Sequence, residues 1–162
     1  MVKTSKTLAI RQVETGDREF LLRWRNDPRT RKNSRNEEPI LPAEHNKWFE
    51  TLFGNHHSLQ LIGIDGAGKP LGQVRFDMDS RSECAEVSIS VAPEERGKGL
   101  GKKLLSLACG YIFKKTSVKT LKAAVKKGNG ASVKLFKGFG FHELKEEDKS
   151  GLVYFEYRKQ EK

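Results

Sequence analysis

The sequence predicts an α/β domain in which helices flank one mixed sheet. Three observations carry that expectation. Residues 84–92 alternate cleanly, with Ala85, Val87, Ile89 and Val91 facing one way and Glu86, Ser88 and Ser90 the other, the period of two that marks a strand. Leu100, Leu104, Leu107, Ala108 and Tyr111 then recur at helical spacing. Gly and Pro fall singly between such segments, so that the elements follow in the order β-α-α-β-β-β-α-β-α-β-β.

Leu8, Ile10 and Val13 mark a strand over 7–13, bounded by Gly16. Phe20, Leu21 and Trp24 share one face of a helix over 17–26, which Asp27-Pro28 breaks. Pro42 suits the first turn of a second helix over 42–53, where His45, Trp48, Phe49, Leu52 and Phe53 repeat at helical spacing. Strands over 58–64 and 71–77 are joined at Asp65-Gly66-Ala67-Gly68, a hairpin signal. Pro93 ends the 84–92 strand, and the third helix runs over 98–115. A strand over 120–126, a short helix over 131–139 ended by Gly140, and strands over 141–144 and 152–158 complete the chain.

A length of 162 residues predicts one domain over 1–162 with enough core to fold unaided. Hydrophobic residues are 36% and charged residues 32%, the balance of a soluble globular chain. The first seven residues contain no apolar run after their lysines, so no signal peptide is expected. The mostly apolar run from Leu104 to Phe113 is far short of the roughly 20 residues that span a bilayer. Cys84 and Cys109 form no CxxC, which predicts reduced thiols and a cytoplasmic location rather than a disulfide framework. His45, His56, His57 and His142 lack any metal-ligand spacing.

The formal net charge is +10, which points to an anionic partner. From Arg96 to His142 there are 12 Lys or Arg and no Asp or Glu, and Arg23, Arg25, Arg29, Arg31, Lys32 and Arg35 make a second basic block. Inside the first block, Pro93-Glu94-Glu95-Arg96-Gly97-Lys98-Gly99-Leu100-Gly101-Lys102 leads from a strand into a helix. The first amides of a helix lack internal partners and carry partial positive charge. Alternate glycines let those amides approach an anion, and Arg96, Lys98 and Lys102 add full charges, so the turn reads as a pyrophosphate cradle. It is neither GxGxxG, since Lys102 holds the third glycine position, nor a Walker loop.

Arg96-x-x-Gly99-x-Gly101 after a strand ending Val91-Ala92-Pro93 resembles the coenzyme A motif of the GNAT N-acetyltransferase superfamily. Asn129-Gly130-Ala131-Ser132, followed by Leu135-Phe136 and Gly140-Phe141, is similar to that family's Asn-x-x-Ser-x-x-Leu-Tyr-x-x-x-Gly-Phe segment. The resemblance implies a mostly antiparallel, twisted sheet and acetyl-coenzyme A as co-substrate, with no metal. It implies a pyrophosphate site on Arg96, Gly97, Lys98, Gly99, Leu100, Gly101 and Lys102, and a pantetheine arm pairing along the strand at Ile89 and Val91. Asn129 and Ser132 match positions that meet the pantetheine or its thiol. On their residue types alone, Asn129 is equally a helix cap and Ser132 a first-turn surface residue.

Ala85-Glu86-Val87 resembles the place where many family members keep a glutamate that draws the amine proton, often through water. Such a base contributes about 10²–10⁴ in rate. The plainer alternative is a solvent-facing strand glutamate, and the expectation that helices cover both sheet faces favours the base. Val91 N–H is by analogy the oxyanion donor. Where the family commonly has a tyrosine that protonates the thiolate, this chain has Phe136, which has no proton to give. Ser132, Tyr154 or a water is then the donor, or the thiolate leaves unassisted, as a thiol pKa of about 8.5 allows.

Trp24-Arg25-Asn26-Asp27-Pro28, then Arg31-x-x-Ser34 and Glu44-His45-x-x-Trp48-Phe49, resembles the branch of the family acting on nucleotide-linked amino sugars, the pseudaminic acid pathway type. That implies an acceptor site at Arg25, Asn26, Arg29 and Arg31, with guanidinium forks on a diphosphate. Helical spacing pairs Arg25 with Arg29. The implied partners are acetyl-coenzyme A and a small amine, with no DNA and no membrane, and with a homodimer left open. Acetylation of a protein N-terminus, as in the ribosomal-protein acetyltransferases, is the alternative activity. A noncatalytic basic RNA-binding module is the remote one, because no RNP-like aromatic segment is present.

Overall fold

A computed structural model describes residues 7–145 and 150–161. The first six residues, on which part of the signal-peptide expectation rests, lie outside them. The elements are β1 (Ala9–Gln12), α1 (Arg18–Asn26), α2 (Pro28–Lys32), α3 (Pro42–Thr51), β2 (Ser58–Ile64), β3 (Pro70–Met78), β4 (Cys84–Val91), α4 (Leu100–Lys115), β5 (Thr120–Lys126), α5 (Gly130–Phe139), β6 (His142–Leu144) and β7 (Leu152–Arg158). Short 3-10 turns at Thr15–Asp17 and Pro93–Glu95 precede α1 and α4. The seven strands form one sheet in the order β1-β2-β3-β4-β5-β7-β6, antiparallel throughout except where β4 meets β5.

The predicted order stands with one addition. Asp27-Pro28 ends α1 and at once starts α2, because the Asp27 carboxylate accepts from Thr30 N at 3.1 Å and Pro28 fills the first helical position. Arg25 and Arg29 therefore lie on different helices, and their expected helical pairing does not occur.

The sheet is covered on both faces. On one, α4 lays Leu104, Leu105, Ala108 and Ile112 against Leu61, Val74, Phe76, Val87, Leu121 and Phe155. On the other, Leu21 and Trp24 of α1 and Phe49 of α3 pack with Ile62 and Ala92. Leu61 and Ile62 are consecutive and both fully buried, so β2 has apolar residues on both sides. The close seat of α4 depends on two glycines. A Cβ at Gly63 would lie 2.7 Å from the Leu104 side chain, and one at Gly72 would lie 2.8 Å from both Leu104 and the Ser90 carbonyl. Asp17, buried at the start of α1, is held by both Nη atoms of Arg11 at 2.7 and 2.8 Å.

Candidate active site

β4 and β5 pair only over Cys84–Glu86 and Thr120–Lys122, then part. The gap widens into a cleft of about 1070 Å³ lined by the outer half of β4, the end of β5, the turn into α4, and residues of α2 and α5. Ala92 N donates to the Leu71 carbonyl of β3 at 2.8 Å. Strand alternation then turns the N–H groups of residues 89 and 91 away from β3 and, beyond the pairing with β5, into the cleft. Val91 and Ile89 thus offer unspent backbone groups to an extended ligand, as one more strand would use them.

The turn into α4 is shaped for an anion. Gly97 and Gly99 have φ of 77° and 73°, which only glycine adopts cheaply, and nothing lies within 4 Å of either Cβ position. Gly99 caps α4 without a side-chain hydrogen bond, so the helix's first amides face the opening. The base of the turn is braced by Glu95, a buried carboxylate that accepts from Lys69 Nζ at 3.2 Å and Lys98 Nζ at 2.9 Å. Arg96 Nη2 donates to Asp27 at 2.8 Å and Thr30 Oγ1 at 2.9 Å, tying α2 to the loop. Burial by itself would raise the Asp27 carboxyl, but the bonds from Arg96 and Thr30 hold it below the usual range.

Of the loop residues singled out by sequence, Arg96, Gly97, Gly99, Leu100, Gly101 and Lys102 line the cleft. Lys98 does not, since its ammonium is turned down onto Glu95. Leu100 is buried, which leaves its backbone as the part that can meet a ligand. Asn129 and Ser132 also line the cleft, and Asn129 serves as the cap of α5, accepting from Ser132 N at 3.3 Å and donating to Ser132 Oγ at 3.0 Å. The Ser132 hydroxyl keeps its proton to donate elsewhere. Phe136 is buried between Phe141 and Phe155, while Tyr154 is not among the lining residues.

Glu86 is on the cleft, on the sheet face opposite α4. No helix closes over it, against expectation. Its side chain is 46% exposed, and its Oε1 accepts from Arg35 Nη2 at 2.9 Å, so a loop covers this place instead. Further out on the same face, Gln60 Nε2 donates to Gln73 Oε1, and Gln73 Nε2 donates to Ser90 Oγ at 2.9 Å.

The acceptor residues predicted by sequence divide. Arg25 and Arg29 line the cleft; Asn26 and Arg31 do not. Asn26 is a structural clamp, donating to the Ile40 carbonyl at 2.9 Å and accepting from Ile40 N at 2.8 Å. Arg31 Nη1 donates to the Glu37 carbonyl at 3.3 Å. Arg25 Nη2 donates to the Asn36 carbonyl at 2.8 Å, and its Nη1 is buried with no partner among the described residues. Burial, followed by repulsion from Arg75 and Arg31, pushes the Arg25 guanidinium below its ordinary range.

Arg35, which the sequence places in the second basic block without singling it out, also lines the cleft, and so does Arg75, which sequence reasoning missed. Arg75 on β3 lies opposite Ser88 of β4, stacks on Trp48 at 5.5 Å and donates to Asp77 at 2.9 Å. Its signal was the polar alternation Gln73, Arg75, Asp77 in an otherwise apolar strand.

Among the described residues, no three of His, Cys, Asp and Glu gather as metal ligands, and no helix is long and apolar enough to cross a membrane. His45 is buried, hydrogen-bonded by Nε2 to the Arg18 carbonyl at 2.8 Å and packed against Trp48 and Phe49. Cys109 is buried, which pushes its thiol up to about 12.

Residues 7–142 match the family described as Acetyltransferase (GNAT) domain. An L-methionine sulfoximine/L-methionine sulfone acetyltransferase of Pseudomonas aeruginosa is 31% identical over 110 residues, 65% of this chain and 63% of that one. The match therefore spans somewhat under two thirds of the relative's length. Among solved structures, a spermidine N-acetyltransferase from Vibrio cholerae, in complex with CoA and spermine, superposes with a TM-score of 0.82 at 22% identity, covering 93% of this chain and 95% of that one. The aminoglycoside acetyltransferase AAC(6')-Ib in complex with coenzyme A gives 0.79 at 15% identity, covering 94% and 95%.

Proposed function

The chain belongs to the GNAT acetyltransferase family, and from that premise we propose that it moves the acetyl group of acetyl-coenzyme A to a primary amine on an anionic small molecule, best read as a nucleotide-linked amino sugar. The observation that carries the transferase reading is the parting of β4 from β5 beside a glycine turn that opens α4. One feature presents strand N–H groups and the other presents helix amides, the two things an extended pantetheine and its pyrophosphate need.

The chemistry follows from the cleft residues. A substrate ammonium loses a proton to Glu86, directly or through water, and the neutral nitrogen attacks the thioester carbon. By analogy with the family, Val91 N–H holds the carbonyl oxygen as it gains charge. The C–S bond breaks as the amide forms, and the sulfur takes a proton to become the free thiol. On the α5 side of the cleft, Ser132 carries a hydroxyl proton to give. One proton is released in net, from the ammonium.

The guanidinium set decides the acceptor's charge. Arg25, Arg29, Arg35 and Arg75 line the cleft against one carboxylate there, Glu86, on the acceptor face. A polyamine meets like charge in such a site, while a diphosphate or carboxylate finds forked donors. The segment resembling the nucleotide-sugar branch supports the sugar. A second reading, transfer to the α-amine of an amino acid, is favoured by the Pseudomonas relative, with the α-carboxylate on the same arginines. The test is turnover of acetyl-coenzyme A with nucleotide amino sugars, methionine sulfoximine, spermidine and an acidic peptide. Preference for the nucleotide sugar is expected; preference for spermidine overturns the anionic-acceptor reading, and preference for the peptide replaces it with protein acetylation.

A further inference from the structure

The segment between α2 and α3 crosses the open side of the cleft as a strap, and nearly all of its holds are on its backbone. Arg25 takes the Asn36 carbonyl, Arg31 the Glu37 carbonyl and Asn26 both polar groups of Ile40, while Lys126 of β5 takes the carbonyl of Lys32, where α2 ends and the strap begins, at 2.9 Å. Lys126 also pairs with the Glu37 carboxylate. The backbone is therefore pinned on both banks. Arg35 is different: its side chain is 57% exposed, and its guanidinium reaches across to Glu86 at 2.9 Å. An exposed pair of this kind is weakly held and is easily exchanged for a better partner.

We propose that Arg35 couples the acceptor's anionic group to the base: the anion takes the Arg35 guanidinium, and the Glu86 carboxylate is freed to receive the ammonium. This deepens the reading above and rests on it. The exchange balances charge at each stage. Before binding, Arg35 and Glu86 neutralise one another. Afterwards the guanidinium faces the phosphate or carboxylate, and the carboxylate faces the ammonium. An anion can engage a guanidinium through two parallel bonds, so the new pair is stronger than the one it replaces. An amine without an anionic group cannot make the trade, and finds its base still covered. Arg35 thus selects for acceptors that carry both charges.

Two measurements on the full chain test this. Calorimetry with inorganic pyrophosphate, with coenzyme A saturating, reads the anion site without turnover. Arg35→Gln should weaken pyrophosphate binding about tenfold, and Arg35→Lys by less, since it keeps the charge but not the fork. Kinetics with a nucleotide amino sugar and with the free amino sugar should then diverge. Arg35→Gln raises KM for the first, but raises kcat for the second, because Glu86 has lost its competitor. A merely structural arginine would lower kcat for both alike. That outcome, or pyrophosphate binding unchanged in Arg35→Gln, overturns the coupling. If the wild type acetylates no amine yet Arg35→Gln loses pyrophosphate, the transferase reading fails and the Arg35 anion site stands.

Discussion

Glu86 shows what a single residue reveals and what it conceals. Its place on a strand, on the polar side of a clean alternation, was legible because side-chain direction along a strand has a period of two. What covers it was not, because Arg35 is 51 residues earlier in a segment with no periodicity. Arg75 was missed for a related reason: its meaning depends on register with β4, and register is a long-range property. Phe136 has no proton to give, and its ring lies on Phe141 and Phe155. For Glu86 the charged neighbours on the sheet are Asp77 of β3 and Lys122 of β5, with Arg35 above. Glu86→Gln keeps the shape and removes the base. Turnover should fall about 10²–10⁴-fold near neutrality and by less at high pH, where the free amine is already abundant. Coenzyme A affinity should be unchanged. A variant matching wild type across the pH range would make Glu86 structural.

At the scale of elements, the strands and long helices were readable because each carries its own pattern and its own stop. Asn129 and Gly140 bracket α5, and Pro93 stops β4. The five-residue α2 was not readable, since one turn and a half gives no periodicity, and the Asp27-Pro28 that starts it is also a break signal. For that reason helical spacing misleads about Arg25 and Arg29, and Asn26, at the end of α1, resembles a ligand in sequence although it clamps the strap. The turn into α4 makes a sharper prediction. Gly99 has positive φ and open space above it, so Gly99→Ala should cost backbone strain of roughly 1 kcal/mol with coenzyme A still bound. Gly99→Glu adds a negative charge where the pyrophosphate is expected, and coenzyme A binding should be lost in calorimetry. If the two variants bind alike, the pyrophosphate does not lie there.

The packing of α1 on α3 carries a pH dependence. Burial drives the His45 imidazole below its ordinary 6.5, because the charged form would be taken from water, although the bond to the Arg18 carbonyl works the other way. The sign follows from proton counts. Near and below 6.5 the unfolded chain takes up a proton that the folded chain resists, so stability falls as pH drops through that range and is flat above it. Asp27, held below the usual carboxyl range, adds its own loss only at much lower pH, so the two windows are separate. His45→Gln does not titrate. Melting temperature should therefore decline less between pH 7 and pH 5 in that variant than in wild type, and parallel curves would place the acid sensitivity elsewhere.

Across the whole molecule, the excess of 31 basic over 21 acidic residues was visible at once, but its purpose depends on where the fold gathers it. The glycine turn and the arginines of α1, α2 and β3 meet along one cleft, so the approach to it is positive from both ends. A cleft of one sign between low-dielectric walls concentrates oppositely charged ligands and speeds their arrival. Such steering acts over about 10 Å at 0.1 M salt and shrinks as salt is added. The second-order rate, kcat/KM, for a nucleotide amino sugar should therefore fall as ionic strength rises, while kcat at saturation changes little. The free amino sugar, a cation at neutral pH, should show the opposite trend or none, because salt screens its repulsion. Spermidine, with several positive charges, should remain a poor acceptor at low salt and improve as salt is added. Equal salt dependence for all three would mean that the charge of this cleft plays no part in choosing what is acetylated.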